Sequence, residues 1–268
     1  MALRKLLPFI IASLLLSLLV VMFQSPKTLI QRPVNAQESD RPGYFYLPVG
    51  STNVSALTRA DYEQLIGKFV SFSFNQVYQK AEMPLIIPQE WESPYFAAFA
   101  QKKDHFMQIS LWGGMARAPG VTKAALAAIL CHELGHILGG EPRQTIPGSD
   151  WASIEGQSDF YSASECLPRF LKKNPEIVTA VDPQVEKLCR GNSDCARTLQ
   201  AGVEMIQVLQ KYSYKENTPV NIFTPEQATS TLVRNTYPSD QCRMDSYVQG
   251  ALCQLGESCR APVCWLPE

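Results

Sequence analysis

The chain has 268 residues, of which 46% are hydrophobic and 18% charged, enough apolar material for a substantial buried core. Its 24 Lys and Arg stand against 25 Asp and Glu, so a net charge of -1 supplies no field for a polyanion, and nucleic acid is not expected as a partner. Only three histidines occur, His105, His132 and His136, so imidazole chemistry can be assigned almost by elimination.

Residues 1–23 open with Arg4 and Lys5 and continue for 18 residues without a charge (6–23), which reads as a signal peptide or an N-terminal membrane anchor. The basic flank sends the rest of the chain outward. The expected location is therefore periplasmic or secreted, or anchored to the outer side of the inner membrane by residues 6–23. Residues 24–43 are polar and broken by proline, a linker, and the folded domain is expected over 44–268.

Within that domain, Thr58 caps a helix reaching Ala81, and PLIIPQEW reads as a strand. YFAAFAQKKDHFMQISLWGG reads as two strands of a hairpin turning at Lys102, Lys103 and Asp104. VTKAALAAILCHELGHILGG is apolar almost all round and stops at Gly139 and Gly140, the pattern of a buried helix. A second helix runs from Ile154 to Lys173, kinked or divided by Pro168, and the remainder is mostly helical. These elements predict an α+β fold: a small antiparallel sheet lobe, a buried active-site helix and a helical, disulfide-containing C-terminal lobe.

Eight cysteines, six of them after residue 188, suit an oxidising compartment. Short loops suggest Cys189 with Cys195 and Cys259 with Cys264. Cys242 and Cys253 lie on one helix about 16 Å apart, too far to bridge. Cys131 points about 100° away from His132 and is expected to be a reduced, buried small hydrophobe.

The strongest chemical signal is His132-Glu133-Leu134-Gly135-His136. Positions i and i+4 of a helix differ by about 40° in azimuth, so both imidazoles can share one metal, with Glu133 beside the first. At this chain's own frequencies of His and Glu, chance produces the pattern roughly once in 500 such chains. A catalytic zinc usually has three protein ligands. Six residues after His136 stands Pro142 rather than histidine, which excludes a metzincin, and His105 falls at the hairpin tip. Among carboxylates, Glu141 is too close to His136 and Asp150 lies in a loop, whereas Glu155 opens the next helix. Asp159, four residues on, shares its face and can orient a zinc histidine.

CHELGH followed by EGQSD resembles the gluzincins, the thermolysin-like and related zinc metallopeptidases, over residues near 121 to 165. The resemblance implies a zincin-like fold, Zn2+ held by His132, His136 and Glu155, Glu133 as general base, Asp159 supporting a histidine, and a peptide or protein substrate. The longer pattern, with WASIEGQSDFYSASECL, YPSDQCRMDSYVQGALC and the C-terminal CW, also resembles a group of exported bacterial proteins of undefined function.

The reading is an exported zinc metallopeptidase, with substrate expected to add to the strand HFMQISLWGG that precedes the active helix. No histidine is left to stabilise the oxyanion, and Tyr161, Tyr237, Tyr247 and Arg243 are the candidates. The rival from another class is a catalytically inactive zinc-stabilised binding or assembly module of the cell envelope.

Overall fold

The computed structural model describes residues 46–212, 219–256 and 258–267. The segments read as signal or anchor (1–23) and linker (24–43) lie outside the described residues. Among the described residues no helix is long and apolar enough to cross a membrane.

The first helix, α1 (Arg59–Ala81), begins where the sequence says it should. Thr58 Oγ1 accepts from the Asp61 N–H while the Asp61 carboxylate accepts from the Thr58 N–H, a reciprocal capping box. Tyr62, Leu65, Ile66, Phe69, Ser73 and Val77 recur at helical spacing and form its buried face. The helix ends at Glu82 in the left-handed region, φ 54°.

Three short strands follow: β1 (Leu85–Ile86), β2 (Ala98–Lys102) and β3 (Met107–Leu111), in the spatial order β1-β3-β2. The hairpin β2–β3 is antiparallel, pairing Lys102 with Met107 and Ala98 with Leu111 around the expected polar tip. Two expectations need correction. The sheet is mixed rather than antiparallel, because β1 pairs with β3 in parallel, Leu85 with Met107 and Ile86 with Gln108. Pro84 and Pro88, which cannot donate to a ladder, confine β1 to two residues. Strand β3 is also the central strand, with β1 on one edge and β2 on the other, so it has no free edge along which substrate could add.

After a short helix, α2 (Gly113–Arg117), the chain enters α3 (Lys123–Leu138), capped by Thr122 Oγ1 accepting from Ala125 N–H. Every residue from Ala124 to Leu138 is buried, with His132, Glu133 and His136 set among otherwise apolar neighbours. It packs against α1, the sheet, and the helices α4 (Glu155–Tyr161) and α7 (Ser193–Lys211).

Helix α4 passes directly into a π-helical turn, Ser162–Cys166, and then into α5 (Leu167–Lys173). The predicted helix is therefore not divided at Pro168: its backbone stays right-handed helical throughout and changes to π spacing just before the proline. Its missing N–H leaves the Ser164 carbonyl without the usual i+4 donor, and the Gln254 side-chain amide donates to that carbonyl instead, at 3.0 Å. The chain continues through α6 (Pro183–Leu188), the amphipathic α7 and α8 (Asp240–Leu252) to an irregular C-terminal tail.

Four disulfides join Cys131 to Cys166, Cys189 to Cys195, Cys242 to Cys264 and Cys253 to Cys259. The Cys189–Cys195 pair matches expectation, and Cys242 and Cys253 indeed take separate partners. Cys259 and Cys264 do not pair with each other. The tail turns at 263–265 and is tied to the 229–233 segment, with Thr229 N–H donating to Val263 O and Val233 N–H to Trp265 O, and Cys264 is bridged to Cys242 and Cys259 to Cys253. Cys131 is buried but oxidised, because the π-turn brings the Cys166 Cα within 5.6 Å of its own. With all eight cysteines oxidised, the chain fits an oxidising, exported environment.

Candidate metal site

The donors converge from two helices that approach each other at glycine. A Cβ on Gly135, between Leu134 and His136, would fall 2.7 Å from the Ser158 carbonyl oxygen and 2.8 Å from its Cα. No larger residue allows α3 and α4 this contact. On the other side of α4, a Cβ on Gly156 would lie 2.4 Å from the Trp265 ring, so the tail packs on the backbone next to Glu155. The indole N–H of Trp265 donates to Ser246 Oγ at 2.9 Å, and the Cys242–Cys264 disulfide ties the same tail to α8.

His132 and His136 lie one turn apart with ring centroids 4.8 Å apart and planes at 84°. The His132 Nδ1–H donates to Asp159 Oδ1 at 2.7 Å. His136 Nδ1 is 2.9 Å from both the Ser153 carbonyl oxygen and Ser158 Oγ. With both Nδ1 atoms occupied as donors, the Nε2 lone pairs turn toward Glu155, whose Oε2 is 3.3 Å from His132 Nε2 and whose Oε1 is 3.6 Å from His136 Nε2.

One donor atom from each of His132, His136 and Glu155 lies within 4.8 Å of the others, and all three residues sit in the protein interior. Glu155 Oε2 is buried without a hydrogen-bond partner of good geometry. Two imidazole lone pairs and an unsatisfied carboxylate oxygen facing one another repel unless a proton or a cation stands between them, so the donor set fits a divalent metal. A His₂Glu set suits zinc.

Asp159 is wholly buried and accepts from three directions: His132, and the Arg243 Nε and Nη2 groups at 2.7 and 2.9 Å. Burial pushes its carboxyl up, but the charges of Arg243 and His132 outweigh that and hold it at about 2. For His132, burial opposes the charge, yet Asp159 and then Glu155 push it up to about 10 in the metal-free protein. Burial would raise Glu155 too, and its contacts with His132 and His136 bring it below the usual range. Glu133, 6% exposed and with no hydrogen bond to its carboxylate among the described residues, is pushed above the usual range by burial, partly countered by the two histidines.

All five predicted residues, His132, Glu133, His136, Glu155 and Asp159, thus meet in one place. His105 is exposed near the hairpin tip, and Glu141 is exposed beside Arg143. The four oxyanion candidates separate. Tyr247 is wholly buried, with its hydroxyl donating to Ser162 Oγ. Tyr161 lines a separate cavity with Lys80 and Arg169. Arg243 is committed to Asp159. Tyr237 stays 62% exposed, with its ring 5.6 Å from the Arg243 guanidinium, and chiefly the charge of Glu155 pushes its hydroxyl up to about 12.

Sequence reasoning missed Ser153 and Ser158 as partners of His136. Ser158 is three residues after Glu155 on the same helical face, a spacing that contains the signal. No local pattern points to Arg243 as the partner of Asp159, since 84 residues separate them.

No family model, curated protein or solved structure matches this chain.

Proposed function

We propose that the protein is an exported zinc metallopeptidase of gluzincin type, with a zincin-like arrangement of its α+β domain. The observation that carries this reading is the convergence of His132, His136 and Glu155, with one Glu155 oxygen lacking a partner, beside a buried Glu133 that takes no part in the donor set. A site serving structure alone would normally close its fourth position with a protein ligand.

On this reading His132, His136 and Glu155 hold the metal, and Asp159 and Arg243 fix the His132 tautomer. Zinc bound there supplies Lewis acidity toward a peptide carbonyl and toward water. Glu133, its carboxyl raised by burial, takes the proton from the attacking water and delivers it to the leaving amine. Tyr237, the one neutral donor of the four candidates facing solvent next to Glu155, is assigned to the developing oxyanion. An extended substrate would add to the outer edge of β2, which packs near α3 and is paired on one side only.

The test is to incubate zinc-loaded full-length protein with a peptide library beside Glu133→Gln and read cleavage by mass spectrometry. Cleavage is expected in the native protein and absent from the variant, with fold and zinc content retained. A folded, zinc-bound native protein that cuts nothing would turn the reading toward the zinc-stabilised binding module.

A further inference from the structure

The segment 233–237 bridges the supports of both histidines. At its start, Val233 N–H donates to Trp265 O in the tail, at 3.1 Å. Next, an Arg234 Nη1 group donates to the Arg143 carbonyl. Asn235 and Thr145 then exchange two hydrogen bonds: Thr145 N–H to Asn235 Oδ1 at 3.0 Å, and Asn235 Nδ2–H to Thr145 Oγ1 at 2.8 Å. This connection between α3 and α4 is the one that serves His136, because Arg143 bridges to Ser153, whose carbonyl meets the His136 ring and whose N–H donates to His136 O.

Two residues later the segment reaches the other histidine. The Tyr237 ring stands against Arg243, which grips Asp159, which holds His132. The histidines these contacts lead to are nearly enclosed, His132 at 5% and His136 at 8% exposure. In contrast, Asn235, Thr145 and Tyr237 are exposed. The Asn235–Thr145 clasp is therefore made of solvent-facing hydrogen bonds of modest strength, whereas the Arg234–Arg143 bond beside it is partly buried.

We propose that residues 233–237 form a strap clasped by Asn235 and Thr145 across the metal site, and that opening of this clasp gates passage to and from His132, His136 and Glu155. The proposal rests on those three residues being a metal site. It asks of Asn235 and Thr145 no direct contact with metal or substrate.

A gate changes rates and leaves equilibrium alone. In full-length protein loaded with zinc, Asn235→Ala and Thr145→Val should each release the ion to a chelator about 3- to 30-fold faster, the factor expected for losing one or two exposed hydrogen bonds. Uptake should accelerate equally, so the dissociation constant stays unchanged, and Thr145→Ser, which keeps the hydroxyl, should restore the native rate. Unchanged release in both variants overturns the proposal, as does a loss of affinity with unchanged uptake, which would make the strap a prop for the ligands. Hydrogen exchange of the Val233 amide in metal-free protein tests the strap without the metal. Faster exchange in Asn235→Ala shows that the clasp holds the strap whether or not zinc binds, so failure of the metal-site reading is told apart from failure of the clasp, and unchanged exchange overturns the proposal.

Discussion

Asp159 shows how much one buried carboxylate can organise. It meets His132 on one side and the full fork of Arg243 on the other, so its removal leaves an imidazole without its orienting acceptor and a guanidinium without its counter-charge. Asp159→Ala is expected to weaken zinc binding about 10- to 100-fold in a chelator titration of the folded variant, and unchanged affinity would remove Asp159 from the support of the metal. The shifts also set a pH dependence. Asp159 has a lowered carboxyl, so its contribution to stability is present above the unfolded value near 3.8 and is lost as pH falls through about 2. His132 is raised, so in metal-free protein its contribution is full below the unfolded value near 6.5 and is lost as pH rises through about 10. Zinc needs the neutral imidazole, so binding must expel that proton. The apparent affinity should rise about tenfold per pH unit between about pH 6 and pH 8, with one proton released per zinc in weakly buffered calorimetry. A flat affinity over that range would mean that His132 is already neutral.

Elements were legible in proportion to how local their causes are. The Thr58 cap, the apolar run of α3 and the turn between β2 and β3 depend on neighbouring residues, and each stands where the pattern placed it. The order of the strands depends on where Pro84 and Pro88 send the chain, which periodicity does not express, so β3 read as a strand and not as the central one. The candidate metal site was legible because three of its five residues lie within one helical turn and the other two within another. Arg243 was visible only as a candidate, since its partner comes from folding rather than spacing. Cys131 reads as a small hydrophobe by helix azimuth alone. Its partner is presented by the π-turn, which widens the helix after Glu155 and Asp159 and delivers Cys166 to α3. That disulfide staples α3, which carries His132 and His136, to the π turn that continues α4, which carries Glu155. Replacing both cysteines with alanine should cost about 2–4 kcal/mol in a denaturant titration and weaken zinc binding. Retained stability would show that α3 and α4 hold together by packing alone, and thiol mapping of the native chain should find no free cysteine.

Across the whole molecule, distant parts of the chain are drawn to one place. The described residues belong to one compact unit, in which α8 and the tail, last in the sequence, reach back to the helices that carry the ligands. Arg243 grips Asp159, Trp265 packs on Gly156, and the strap ties the tail to the connection between α3 and α4. The staple between Cys131 and Cys166 gives this architecture a direction in time. A newly made chain held among thiol reductants has its two ligand-bearing helices uncrosslinked, and its donors lack the tie that fixes them at bonding distance. On the proposed function, oxidation during export then serves as the activating event. The reduced precursor would then hold its donor set less firmly than the oxidised, exported protein does.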